Sequence, residues 1–196
     1  MEDYMETIIL LVRHGQTDWN QKRLIQGRIN NPLNEEGIKQ VKEVGKILKE
    51  KDPNWDIIIA SPLDRAIHSA NILAEELNYQ NEIIINNDVI EREFGKAEGQ
   101  LICDEIYNKI KNDDVEGLEK SYELQDRAYN ALIKIAKQYP GKKVLIATHS
   151  HFIKGFFTKI SNEFTFTSPL YNASRNYVYI NNDKVTKYIF NLNENN

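Results

Sequence analysis

Four short aliphatic runs, separated by stretches with helical spacing, constrain this chain more than any other feature. Residues 7–12, 57–60, 83–85 and 144–147 are nearly continuous in apolar and β-branched side chains. Runs of that length read as strands buried on both faces, because a half-exposed strand would alternate with polar residues. Between them, residues 35–50 place Ile38, Val41, Val44, Ile47 and Leu48 at spacings of three and four, and residues 63–78 do the same with Ala66, Ile67, Ala70, Leu73, Ala74 and Leu77. Both patterns give a helix one apolar stripe. A third stripe, with Tyr122, Ala128, Tyr129, Leu132 and Ile135, occupies 119–138, and a shorter helix is predicted over 152–160. Strand and helix in alternation predict an α/β fold, a three-layer sandwich whose mostly parallel central sheet is covered by helices on both faces. Alternation returns at 177–180 and 184–190, and the polar run from Asn191 is expected to fray.

The 196 residues, 41% of them apolar, suffice for one core, so residues 1–196 are read as a single domain. No repeat or low-complexity linker divides them. The least regular stretch is about 100–119, where Asp113, Asp114 and Gly117 interrupt any helix beginning near Asp104, and it is expected to form a small cap or lid. Twenty-five basic and 29 acidic residues leave a net charge of -4, without the basic excess of a nucleic-acid binder. Cys103 is the only cysteine, which excludes an internal disulfide and a Cys-rich metal site; it is read as a small buried hydrophobe. Glu2, Asp3 and Glu6 stand where a signal peptide carries bases, and the apolar run at 8–12 stops at Arg13. A cytoplasmic protein without membrane partners is expected.

Ligands of open α/β sheets sit beyond the carboxyl ends of the strands. The first strand is followed by Arg13, His14 and Gly15, the second by Ser61, Pro62 and Arg65, the third by Glu91, and the fourth by His149. Parallel strands would therefore deliver two histidines, two arginines and an acid to one edge. That set suits phosphoryl transfer. Guanidinium forks match phosphate oxygens, a neutral imidazole attacks phosphorus, and a carboxyl group protonates the leaving oxygen. Ser61 and Pro62 read as a helix N-cap and first helical residue, placing Arg65 one turn inside an electropositive helix start.

The segment LVRHGQTDWN, with Arg13, His14, Gly15, Thr17 and Asn20, resembles the signature of the phosphoglycerate mutase-like histidine phosphatases. Four further blocks follow in the family's order: Gly27-Arg28 with Asn31-Pro32-Leu33-Asn34, Gly37 and Gln40; Ser61-Pro62-Leu63 with Arg65-Ala66; Glu91 with Phe94-Gly95 and Glu98-Gly99; and residues 144–149. The resemblance implies His14 as nucleophile, Arg13 and Arg65 as phosphate clamp, His149 as donor to the transferred oxygens and Glu91 as general acid. Thr17, Asn20, Gln26 and Gly27 match positions lining the phosphate pocket. Ser150 stands where many members have glycine. Lys120 replaces a serine that often precedes the helix carrying Arg127, making it a candidate cation at the pocket mouth. The implied activity is metal-independent hydrolysis of a small phosphorylated substrate, with no cofactor.

Several residues invite other readings. His149 and His151 do not read as a metal pair, because a helix start is expected between them. His68 reads as a partly buried structural histidine, and the aromatic residues of 156–179 as core and pocket wall. Two rival functions are a phosphoglycerate mutase using the same histidine and a silent phospho-ligand binder, which should lack the nucleophile or the acid. The mutase must grip a second anion, and residues 104–126 hold eight acids against three lysines, so net repulsion is expected there unless Lys109, Lys111 or, first among them, Lys120 turns inward.

Overall fold

The computed structural model describes residues 6–193; Glu2, Asp3 and the last three residues of the tail lie outside them. Its six strands are β1 (Thr7–Arg13), β2 (Ile57–Ala60), β3 (Ile84–Ile85), β4 (Lys143–Thr148), β5 (Arg175–Asn181) and β6 (Lys184–Leu192). They form one sheet in the order β3-β2-β4-β1-β5-β6. The first four strands run parallel, and β5 and β6 extend the sheet antiparallel.

Six helices accompany them: α1 (Asp18–Gln21), α2 (Glu35–Lys51), α3 (Asp64–Glu76), α4 (Asp104–Lys111), α5 (Ser121–Gln138) and α6 (Ser150–Ile160). The pleat of β1 explains its unbroken apolar run. Leu10 and Val12 point into one core with Val41, Val44 and Leu48 of α2 and Ala70 and Leu73 of α3, while Ile9 and Leu11 point into the other. That second core takes Leu132 and Ile135 of α5 and Phe152 and Phe156 of α6. Both faces are covered, which is the three-layer arrangement the periodicities predict.

Two expectations at the sheet's margins are corrected. β3 is not buried on both faces: Ile84 and Ile85 are exposed, because this two-residue strand lies at the edge and pairs with β2 alone. The chain does not fray at Asn191, which lies within β6 and donates through its side chain to the Pro169 carbonyl. Among the described residues no helix is long and apolar enough to cross a membrane.

The stretch from 100 to 119 contains one helix, α4. Ile106 and Ile110, one turn apart, face a small separate core with Ile25, Phe94, Ala97 and Leu118. The helix stops where Asp113 takes a left-handed φ of 55°. Asp113 then binds the buried Arg92 at 2.7 Å and accepts from the Ser121 backbone and hydroxyl, tying the end of this cap to the start of α5. Cys103 is exposed at the N-cap of α4 and not buried, since it precedes the helix whose apolar stripe begins at Ile106.

Candidate active site

The carboxyl ends of β1, β2 and β4 meet at one cavity of about 250 Å³. His14 follows β1 and is buried, with its main chain held from both sides: its N–H donates to Thr148 O at 2.9 Å, and its carbonyl accepts from Ala173 N and Asn172 Nδ2, each at 3.2 Å. Its Nδ1 lies 2.7 Å from the Gly15 carbonyl oxygen. A carbonyl only accepts, so Nδ1 carries the proton and Nε2 keeps its lone pair. Arg65 Nε donates to that Nε2 at 3.3 Å. Burial, then the charges of Arg65 and Arg13, hold the His14 imidazolium well below the usual histidine range, so the ring is neutral.

The loop carrying His14 passes the first turn of α2 at main-chain contact. A Cβ on Gly15 would lie 2.3 Å from the Gly37 oxygen, and one on Gly37 only 2.1 Å from the Gln16 oxygen. Gly27 combines a left-handed φ of +52° with a Cβ position overlapping Glu98 Oε1. These constraints give the glycines of the first two sequence blocks a physical reason.

Arg65 is fully buried. Its Nη1 donates to Ile29 O at 2.8 Å and its Nη2 to Gly27 O at 2.7 Å, which aims the guanidinium at His14. Arg13 Nη1 is 2.5 Å from Leu170 O, and its buried Nε has no partner among the described residues. Burial lowers both arginines to about 10, with the charge of Glu91 acting in the opposite direction, so both stay cationic at neutral pH. His149 is fully buried, its ring centroid 5.2 Å from that of His14. Its Nε2 meets Ser61 Oγ at 2.6 Å, while its buried Nδ1 lacks a partner. Ser61 is therefore not the N-cap of α3. That position is Leu63, because Pro62 and Leu63 precede the first helical residue, and Arg65 is only the second residue of the helix.

Glu91 is buried and lines the cavity. Its Oε1 accepts from the backbones of Arg92 at 2.9 Å and of His151 and Phe152 at 3.1 Å, so the first turn of α6 orients the carboxyl group. Of its neighbours, Glu98 instead receives the Arg28 and Phe94 backbones, and Glu93 ion-pairs with Arg28. Arg127 donates to the carbonyls of Asp88 and Ile90 and forks onto Glu119 at 2.7 and 2.9 Å, fixing the segment that leads into Glu91.

Asn20, Gln26, Gly27 and Ser150 line the cavity. Three candidates do not: His149 lies behind that lining, against His14 and Ser61, and Thr17 and Lys120 are engaged elsewhere. Thr17 is fully buried as the N-cap of α1, accepting from Asn20 N at 3.2 Å, and shapes the loop without reaching the pocket. Lys120 donates to Asp113 O at 2.5 Å, because the left-handed turn at Asp113 turns that carbonyl toward it, and so Lys120 belongs to the cap's anchorage. His68 is exposed on the outer side of α3 and not partly buried. His149 and His151 are separated by the start of α6, and among the described residues no three His, Cys, Asp or Glu side chains converge as metal ligands.

The expected repulsion from the acid-rich cap fails at its premise. Asp104, Glu105, Asp114 and Glu116 point to solvent, while Asp113 and Glu119 are spent on Arg92 and Arg127. Glu91 is the one acid lining the cavity, against Arg13, Arg65 and a third cation that sequence reasoning missed, Lys154.

The sequence model of the histidine phosphatase superfamily (branch 1) matches residues 9–193, nearly the whole chain. The protein belongs to this superfamily. An uncharacterized phosphatase, PhoE, of Bacillus subtilis is 40% identical over 155 residues, spanning 79% of this chain and 78% of the relative. A metal-independent phosphoserine phosphatase of Arabidopsis thaliana is 33% identical over 190 residues, 91% of this chain and 78% of the relative. Among solved structures, a mutant phosphoserine phosphatase of Entamoeba histolytica in complex with phosphoserine superposes with a TM-score of 0.77 at 25% identity, covering 93% of this chain and 96% of that one. As a histidine phosphatase the chain keeps a histidine, two arginines and an acid around one cavity.

Proposed function

We propose that this protein hydrolyses small phosphomonoesters through a phosphohistidine on His14. The observation that carries the reading is the state of the His14 ring, with its proton on Nδ1 against Gly15 O and the Nε2 lone pair beside the Arg65 guanidinium. Two cationic arginines neutralise a phosphoryl dianion without a metal ion. Attack by Nε2 forms the N–P bond as the ester P–O bond breaks, and the leaving oxygen takes a proton from Glu91. Water then attacks phosphorus and gives a proton to Glu91, the N–P bond breaks, and phosphate leaves with His14 neutral again. His149, with Ser61 donating to Nε2, offers Nδ1–H to the transferred oxygens.

The names of the Arabidopsis and Entamoeba relatives support a small phosphorylated metabolite as substrate. Incubation with a labelled phosphomonoester should trap acid-labile, base-stable phosphate on His14, and His14→Ala should carry none and lose nearly all turnover. Label stable to acid on another residue overturns the reading. Label handed to phosphoglycerate faster than to water would replace the hydrolase with a mutase.

A further inference from the structure

We propose that Lys154 is the carboxylate-reading residue of this cavity, so that the protein selects phosphomonoesters whose tail carries one negative charge. The proposal relies on the hydrolase reading only for where the phosphate sits.

Lys154 lies on α6 four residues after Ser150 and three after His151, which places the three side chains on one helical face, and all of them line the cavity. Its Nζ donates to the Phe166 carbonyl at 3.1 Å. That same oxygen accepts from the Tyr107 hydroxyl of the cap at 3.0 Å, so both of its lone pairs are used. An ammonium has three donors, and among the described residues Lys154 has this one hydrogen-bond partner and no carboxylate within ion-pair range. The single acid lining the cavity, Glu91, spends its Oε1 on main-chain amides. A half-buried ammonium with two donors free of partners among the described residues presents them to the cavity, where an anion would meet them. Burial and the charge of Arg13 lower it to about 8, so it remains mostly charged at neutral pH.

Charge complementarity fixes the class of tail. Arg13 and Arg65 match the two charges of a phosphoryl group, and the one remaining cation matches a carboxylate better than a second phosphate dianion. His151 Nδ1, buried without a partner in the described structure, adds a polar atom on the same face. The cap contributes Ile102 and Ile110 to the wall, which favours a short carbon chain between phosphate and carboxylate. Nothing in the hydrolytic steps uses Lys154, and its anchor, shared with Tyr107, joins α6 to the cap.

A matched pair of ligands tests this. 3-Phosphoglycerate and glycerol 3-phosphate differ at the tail by a carboxylate against a hydroxymethyl group, and phosphoethanolamine reverses the charge. Calorimetric binding to the His14→Ala protein, which cannot turn over, should favour 3-phosphoglycerate over glycerol 3-phosphate by about 10- to 100-fold, with phosphoethanolamine weakest. Lys154→Met should collapse that ratio toward one and Lys154→Arg should keep most of it, with near-UV circular dichroism confirming that each variant is folded. Equal affinities in the protein that retains Lys154, or a ratio that survives Lys154→Met in a folded protein, overturn the proposal. These binding outcomes stand apart from the hydrolase reading, which is decided by the labelling of His14 and by whether that label passes to water.

Discussion

At the carboxyl ends of β1, β2 and β4 the reactive groups are gripped by main-chain atoms, whereas the cap adds a small apolar core and a buried guanidinium to its main-chain bridges Leu24–Leu101 and Phe94–Leu118. His14 is fastened through its own N–H and carbonyl, Arg65 through the carbonyls of Gly27 and Ile29, and Glu91 through three amides. The cap rests on a small core around Phe94, Ile106 and Ile110 and on one buried guanidinium, Arg92, which binds Asp113 and the Glu119 carbonyl. Main-chain anchorage resists substitution of neighbours; the side-chain part of the cap's anchorage is lost with a single residue. The difference separates the chemistry of phosphoryl transfer from the choice of what is attached to the phosphate.

The comparison breaks first at Arg65. Arg65→Ala removes the donor to His14 Nε2 and one arm of the phosphate clamp, and kcat/KM should fall by about 10³-fold or more for every ester, whatever its tail. Stopped assays across alkyl and aryl phosphates check this, and a loss confined to one class would show that Arg65 serves the tail.

Acid stability probes the same end of the molecule. Burial and nearby cations hold His14, His149 and His151 well below their ordinary value of 6.5. The unfolded chain therefore binds protons before the folded one, and stability falls as pH drops below about 6.5, by up to about 1.4 kcal/mol per pH unit for each ring. Urea unfolding from pH 7 to 5 should show the slope, and His151→Phe should reduce it by about one third. An unchanged slope would mean that His151 protonates freely in the folded protein.

A smaller effect is expected in the cap. Arg92→Met leaves a comparable volume but takes the guanidinium from Asp113 and the Glu119 carbonyl, and should lower stability by about 2 kcal/mol. Because Tyr107 and Lys154 meet at Phe166 beside this cap, the variant should raise KM more than it lowers kcat, and an equal loss in both would argue that the cap takes part in the chemical steps. The smallest effect is expected from chelation: overnight dialysis against EDTA should leave activity unchanged, since the two arginines supply the charge a metal would bring. Activity lost and then restored by a divalent ion would contradict that assignment.

The end of the molecule fixed by the main chain is also the end that is legible in sequence. Strand ends announce themselves by where aliphatic runs stop, so His14, Arg13, Glu91 and His149 follow from topology before any contact is known. Arg65 is legible by the same logic, although the helix begins later than Ser61 and Pro62 imply, which frees Ser61 for His149. Thr17 and Asn20 are spaced as a capping box, which signals the local role of Thr17, while Asn20 also lines the cavity. Lys154 carries a signal as well, a cation inside the apolar run 152–157 on the face of Ser150 and His151. The cap was not legible beyond its irregularity. Nothing in sequence distinguishes the buried Arg92 from a surface arginine, nor tells which of eight acids face solvent and which face a guanidinium.

The passage of Gly15 against Gly37 has a consequence for how this sequence can vary. Each glycine excludes a side chain because of the other segment's main chain, not because of its partner's residue type, so no compensating change at one position relieves the other. A library randomised at both codons should return one functional genotype. Homologues can drift around the nucleophile loop and along α2, but at this crossing the two segments inherit their letters together.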